Sequence, residues 1–309
     1  MANIAYHISY TLCRLVSLLP MRMLYLISDT LYILIYYIVG YRRKLVRKNL
    51  TDSFPEKTEA EIKGIEKAYY AWLCDYFVET LKLLTISKEN ISRRMRFVGA
   101  EMLEDCMERG VPCSLYLGHY CNWEWITTLP LHMKKGICSQ VYHPLENKAS
   151  DRIFYKLRNR FGSENIEMDN TFRTVMEWKK AGKPNIVGYI ADQVPGLHNV
   201  HCWVDFLNHD TPVFSGAEKI TMITGAEVFY ADIERPKRGY YVCTFKKIQL
   251  PPEGYVKFYY TKSYFKLLEE SIRRAPQYWL WSHNRWKRTR EQFNREFSEE
   301  ERKRMLSRL

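Results

Sequence analysis

From about residue 99 onward, short apolar runs alternate with amphipathic stretches, and glycine repeatedly stands where a helical pattern stops. Residues 114–117, 140–142, 185–191, 227–233 and 240–245 read as strands. Residues 122–133, 150–161, 171–181, 215–224 and 256–274 read as helices, three of them followed by Gly162, Gly182 or Gly225. Glycine is the residue that most readily takes the left-handed conformation ending a helix. Strand and helix in alternation, each with one apolar side, point to an α/β sheet covered by helices on both faces. No internal repeat or low-complexity tract competes with that reading.

The first hundred residues follow a different rule. Residues 8–19 and 23–39 are strongly apolar, interrupted by Arg14, Pro20 and Asp29. The second run approaches the roughly 20 residues needed to cross a bilayer. It also suits a helix lying in the interface, and the sequence admits both. Arg42, Arg43, Lys44, Arg47 and Lys48 follow directly. Cations flanking an apolar run mark the cytoplasmic side and attract anionic headgroups. No cleavable signal peptide is expected. Residues 58–84 carry Ile62, Ile65, Tyr69, Trp72, Leu73 and Tyr76 at helical spacing, which predicts one long packing helix. The expected organisation is therefore 1–50 as membrane-anchoring helices with a basic flank, and 51–309 as a catalytic domain. Within the latter, 51–98 is a helical lead-in, 99–287 the α/β core, and 288–309 a charged tail expected to form a frayed helix.

A net charge of +12 asks for an anionic partner, whether nucleic acid, an acidic protein or an anionic membrane surface. The 23 tyrosines and 8 tryptophans lean toward a membrane interface, although aromatic rings also stack on bases. The eight cysteines form no Cys-x-x-Cys pair and have no zinc-ligand spacing, so reduced, mostly buried thiols are expected. His198 and His201 lack a third ligand at useful spacing and read as loop residues.

The most informative segment is Leu115-Tyr116-Leu117-Gly118-His119-Tyr120-Cys121-Asn122-Trp123-Glu124. An apolar strand ends at Gly118, and Asn122 is a favoured helix cap. His119 then falls in the loop beyond the strand's carboxyl end, where functional groups of open α/β sheets collect. Glu124 falls in the first helical turn, from which it can turn back on His119. A histidine held by a carboxylate is a general base, able to deprotonate a hydroxyl with no Ser or Cys nucleophile. On spacing alone this pairing is a chance-level signal; the strand–Gly–His–cap context raises it.

Gly118-His119-Tyr120-Cys121-Asn122-Trp123-Glu124 resembles the His-x4-Asp/Glu motif of the lipid A biosynthesis acyltransferases, the lauroyl/myristoyl transferases of Gram-negative bacteria within the wider glycerolipid acyltransferase group. Further blocks resemble that family in the same order: Tyr142-His143-Pro144-Leu145-Glu146-Asn147 with Asp151-Arg152, Ala191-Asp192-Gln193 with Pro195, and Trp279-Leu280-Trp281-Ser282-His283-Asn284-Arg285-Trp286-Lys287. The resemblance spans essentially the whole chain. It implies a mixed, mainly parallel sheet flanked by helices, with an N-terminal hydrophobic helix at the cytoplasmic face of the inner membrane. It implies acyl transfer from a thioester on acyl carrier protein to a hydroxyl of a lipid A precursor, with no metal, no cofactor and no nucleic acid. Carried over to this sequence, His119 is the base and Glu124 its partner, while Arg152, Asp192 and Asn122 are expected at the substrate. The acidic carrier and the anionic membrane both suit the +12 charge. Another membrane lipid as acceptor, or a non-catalytic basic binding module, are the alternatives. One departure stands out, because the family usually has glycine where this chain has Cys121. That residue either keeps the same backbone or narrows the acyl channel. Trp279, Trp281 and Trp286 are expected to pack, and His283 and Arg285 to hold the C-terminal segment to the sheet.

Overall fold

The structure, a computed structural model, describes residues 2–308. Strands β1 (Met95–Val98), β2 (Cys113–Leu117), β3 (Ile137–Tyr142), β4 (Glu164–Glu167) and β5 (Asn185–Ile190) join two later strands in one sheet. Those later strands are β8 (Glu227–Lys237) and β9 (Tyr240–Lys247), and the order is β1-β9-β8-β2-β5-β3-β4. Five neighbouring strands, from β8 to β4, run parallel. The β8–β9 hairpin turns the sheet antiparallel, and β1 runs parallel to β9. This is the mixed, mainly parallel α/β sheet that the sequence implies. All five residues of β2 are buried, as expected of a central strand covered on both faces. A separate hairpin pairs β6 (Cys202–Phe206) with β7 (His209–Val213).

The expected helix at 58–84 is α4 (Glu59–Lys82), which starts with a Thr58–Glu61 capping box. Tyr69, Tyr70 and Trp72 bury its middle. Before it lie α1 (Ala2–Leu18), α2 (Met21–Tyr32), which runs on as a π-helical stretch Ile33–Val39, and α3 (Arg43–Ser53). Helix α5 (Lys88–Arg94) leads into β1, and between the strands run α6 (Ala100–Glu108), α7 (Lys148–Asn159), α8 (Thr171–Lys180) and α9 (Gly216–Thr224). Then α10 (Tyr259–Arg274) lies across β8 and β2.

One expectation is sharpened and one corrected. The helix expected at 122–133 is present as Trp123–His132 with Asn122 as its cap, and it is a 3-10 helix. Pro130 cannot donate into an α-helical ladder, and the Thr127 and Thr128 hydroxyls bond back to the carbonyls three residues earlier, at 2.6 and 2.7 Å. The charged tail is not frayed. It forms α11 (Arg290–Glu296) and α12 (Glu299–Ser307), each opened by a capping box, Thr289–Gln292 and Ser298–Glu301. Phe293, Phe297 and Met305 pack there against Leu197 and Val200. The charge-rich sequence hides a narrow apolar stripe of the kind a short helix needs.

Candidate active site

Strands β2 and β5 are adjacent and parallel, with Leu117 opposite Ile190. His119 lies two residues beyond Leu117, and Asp192 two residues beyond Ile190. Register alone therefore brings the two side chains together at the carboxyl edge of the sheet. Asp192 Oδ1 is 2.6 Å from His119 Nδ1, and Asp192 Oδ2 accepts from the His119 backbone N–H at 2.9 Å. Oδ2 also accepts from the Trp279 indole N–H at 2.8 Å. Burial alone would raise the Asp192 carboxyl. The neighbouring imidazole and these three donors outweigh it and hold the carboxyl down at about 2.

An ionised Asp192 makes Nδ1–H the donor, which leaves the His119 Nε2 lone pair free to act as a base. Nε2 lies 3.2 Å from the Gln193 side-chain nitrogen, which donates to it. The His119 side chain is 17% exposed against 2% for Asp192, so solvent reaches the ring and not its anchor. The Trp123 ring stands edge-on to the imidazole with centroids 5.1 Å apart, and Trp123 stacks on Tyr76 at 4.2 Å. One wall of the site is therefore aromatic.

The loop needs two backbone features. A Cβ at Gly118 would lie 2.5 Å from the tip of the buried Leu268 side chain, so glycine here lets Leu268 of α10 pack against the strand end without shifting. Cys121 has φ 52°, in the left-handed region that glycine favours. It thus keeps the backbone a glycine would adopt. Its thiol is fully buried and donates to the Ile233 carbonyl at 3.5 Å, away from the imidazole. Burial pushes that thiol well above its ordinary range, which excludes a ready thiolate nucleophile.

Glu124 does not take up the expected place against His119. Its carboxylate is 2% exposed and accepts two hydrogen bonds from Arg158 of α7, at 2.9 and 2.6 Å. A bidentate guanidinium engages both carboxylate oxygens. The 3-10 turn carries Glu124 toward α7 instead of back over the loop. Asn122, expected at the substrate, is fully buried. Its amide N–H donates to Glu79 at 2.8 Å and its oxygen caps the Trp125 N–H at 3.3 Å, so both ends are engaged inside the protein. Arg152 stands on the exposed side of α7, and one of its contacts is the Tyr6 ring of α1, 4.0 Å from the guanidinium carbon.

The C-terminal signature closes the site from behind. Tyr120 and Trp279 form an antiparallel bridge, with Cys121 N–H on the Tyr278 carbonyl and Leu280 N–H on the His119 carbonyl. Trp279 therefore does more than pack. Asn49 of α3 donates to the carbonyls of Trp281 and His283, and the buried Arg285 donates to the Pro212 carbonyl at 2.8 Å. Those bonds tie the segment to α3 and, through Arg285, to the β6–β7 hairpin, not to the main sheet as expected, and His283 contributes only its backbone carbonyl. Arg158 was not anticipated; it follows the buried Leu157 at the rim of α7's inward stripe, a weak but readable signal. Among the described residues, no group of three or more His, Cys, Asp and Glu side chains is gathered as a metal ligand set.

The sequence profile of the bacterial lipid A biosynthesis acyltransferases matches residues 3–288. A lipid A biosynthesis acyltransferase of Haemophilus influenzae is 22% identical over 215 residues. That alignment covers 69% of this chain and 66% of the relative, just under two thirds of its length. The profile takes in every element that builds the His119 site, from α1 to the C-terminal signature. The chain belongs to the bacterial lipid A biosynthesis acyltransferase family, a family of acyl-transferring enzymes.

Proposed function

We propose that this chain moves a fatty acyl group from an acyl thioester on acyl carrier protein to a hydroxyl of a lipid A precursor, at the cytoplasmic face of the bacterial inner membrane. The observation that carries the reading is the His119–Asp192 dyad, with one imidazole nitrogen anchored and the other presented. The acceptor hydroxyl replaces the Gln193 amide at Nε2 and gives up its proton as its oxygen attacks the thioester carbonyl. The tetrahedral intermediate then collapses, the C–S bond breaks, and the imidazolium returns the proton to the departing thiolate. Asp192 fixes the tautomer and stabilises the imidazolium. No acyl-enzyme is needed.

Glu124 and Arg158 serve this reaction as a brace between the catalytic turn and α7. Lys148, Arg152 and Lys156 are exposed at four-residue spacing along α7, a basic stripe that suits an acidic carrier protein. Arg152 is assigned to the donor on that ground. The acyl chain of the donor would meet the aromatic wall of Trp123 and Tyr76.

The test is a purified-enzyme assay with acyl-acyl carrier protein and a tetra-acylated lipid A precursor. His119→Ala should cut turnover by about 10^4-fold while leaving the thermal transition in place. Unchanged turnover would refute the base assignment, and product with a different lipid alone would move the acceptor.

A further inference from the structure

Helices α1 and α2 are held to the domain by an apolar seam of Met21, Leu24 and Val78 and by polar anchors, and they expose further apolar stripes on the outside. On the inner side, Ser28 donates to Asp75 at 2.6 Å, Tyr25 to Glu79 at 2.9 Å and Tyr36 to Glu66 at 2.9 Å. All three acceptors belong to α4. The end of α1 is held as firmly, since Lys82 donates to the carbonyls of Ser17 and Leu19 at 2.8 Å each. On the outer side, Leu12, Leu15 and Leu18 of α1 and Leu26, Ile33 and Ile38 of the α2 segment are 55–73% exposed. Each set recurs at helical spacing, so each helix presents one apolar face away from the domain.

Met21–Val39 has the length and hydropathy of a membrane span. At 1.5 Å per residue its 19 residues measure about 28 Å, close to a bilayer core. The side-chain partners decide against crossing. Asp29 sits near the middle of that segment and pairs with Arg238 at the tip of the β8–β9 hairpin, at 2.6 Å. Arg238 also grips Asp75, which Arg235 engages at 2.6 Å. A helix set across the bilayer with these bonds intact would carry two arginines, two aspartates and an edge of the catalytic sheet to the membrane centre. Charged groups there are strongly disfavoured. Breaking the bonds would instead strand buried charges in the domain.

We infer that α1 and α2 lie in the plane of the membrane as one two-helix seat, apolar faces down, and that the chain does not cross the bilayer. The occupant is an anionic bilayer surface. Arg14, Arg22 and Lys44 are exposed around the stripes, placed to reach headgroups while the leucines enter the acyl boundary. The seat rests on the membrane-bound acyl-transfer reading and specifies its geometry. It also places α7, which α1 contacts through Tyr6 and Arg152, beside the lipid surface.

The turn at Pro20 distinguishes the two geometries, because any crossing of α2 puts residue 20 on the far side. The other cysteines are buried and Cys13 is half-buried, so Pro20→Cys is placed in a Cys13→Ser background. In bacterial spheroplasts, a membrane-impermeant maleimide should leave position 20 unlabelled, at least tenfold below a lysed control stained for total protein. Labelling from outside would overturn the inference. Recovery of the protein in the soluble fraction, as monomer or as a self-associated dimer, would overturn both the seat and the membrane location, yet leave the His119 assay standing. A second variant, Leu26→Ser/Ile33→Ser/Ile38→Ser, changes exposed side chains only. It should fold normally and bind preformed phosphatidylglycerol/phosphatidylethanolamine vesicles at least tenfold more weakly. Undiminished binding would also overturn the seat.

Discussion

Two buried carboxylates follow His119 in the sequence, and the structure gives them different partners. Glu124 is five residues from His119 and Asp192 is seventy-three, yet the near one is held by Arg158 and the far one by the imidazole. Both are 2% exposed, so burial does not separate them. The separating factor is backbone geometry. Parallel register carries Asp192 to His119 from the next strand, whereas a 3-10 turn carries Glu124 to α7. One region is a partly exposed imidazole on a buried carboxylate anchor. The other is a closed ion pair whose charges are matched on both sides.

The comparison can be broken at either carboxylate. Asp192→Asn keeps the size but removes the charge that fixes the tautomer, so kcat should fall by about 10^3-fold with KM little changed. A proportional rise in KM would instead assign Asp192 to binding. Glu124→Gln leaves the partly buried Arg158 guanidinium half-paired. The expected effect is on stability, about 3 kcal/mol, read as a lowered Tm and denaturant midpoint. Loss of turnover with unchanged Tm would contradict the brace.

His283 sharpens the contrast, being a second histidine near Asp192 whose Nε2 finds no hydrogen-bond partner among the described residues. Burial depresses its pKa to about 4 from an ordinary value near 6.5. The unfolded chain then binds the proton more readily, so stability is full above pH 6.5 and is lost as the pH falls from 6.5 toward 4. The loss should be on the order of 2 kcal/mol, allowing for its partial exposure, and His283→Gln should flatten that part of the profile. An unaltered acid limb would place the titration elsewhere.

Most of the sheet was legible because β2, β5 and β8 are continuous apolar runs between glycine-stopped helices. The edge strands β1 and β4 were not, since four residues each leave too short a pattern to separate from a loop. His119 and Asp192 were each readable as residues at a strand's carboxyl end. Their partnership was not, because register is a property of two strands side by side and leaves no local mark on either. The Arg158–Glu124 pair was hidden for the same reason. Cys121 stands where the family usually has glycine, and its left-handed backbone explains that preference. The capped tail helices were masked by charge, and the N-terminal pair could not be settled from hydropathy. It took the Asp29–Arg238 bond to show which face is held.

The most direct measurement is the imidazole proton spectrum of 15N-histidine-labelled protein. His119 Nδ1–H, bonded to an ionised carboxylate at 2.6 Å, should give a strongly deshielded resonance. That resonance should vanish in Asp192→Asn and persist in Glu124→Gln. Its persistence in Asp192→Asn, or its loss in Glu124→Gln alone, would show that the near carboxylate and not the far one anchors the base.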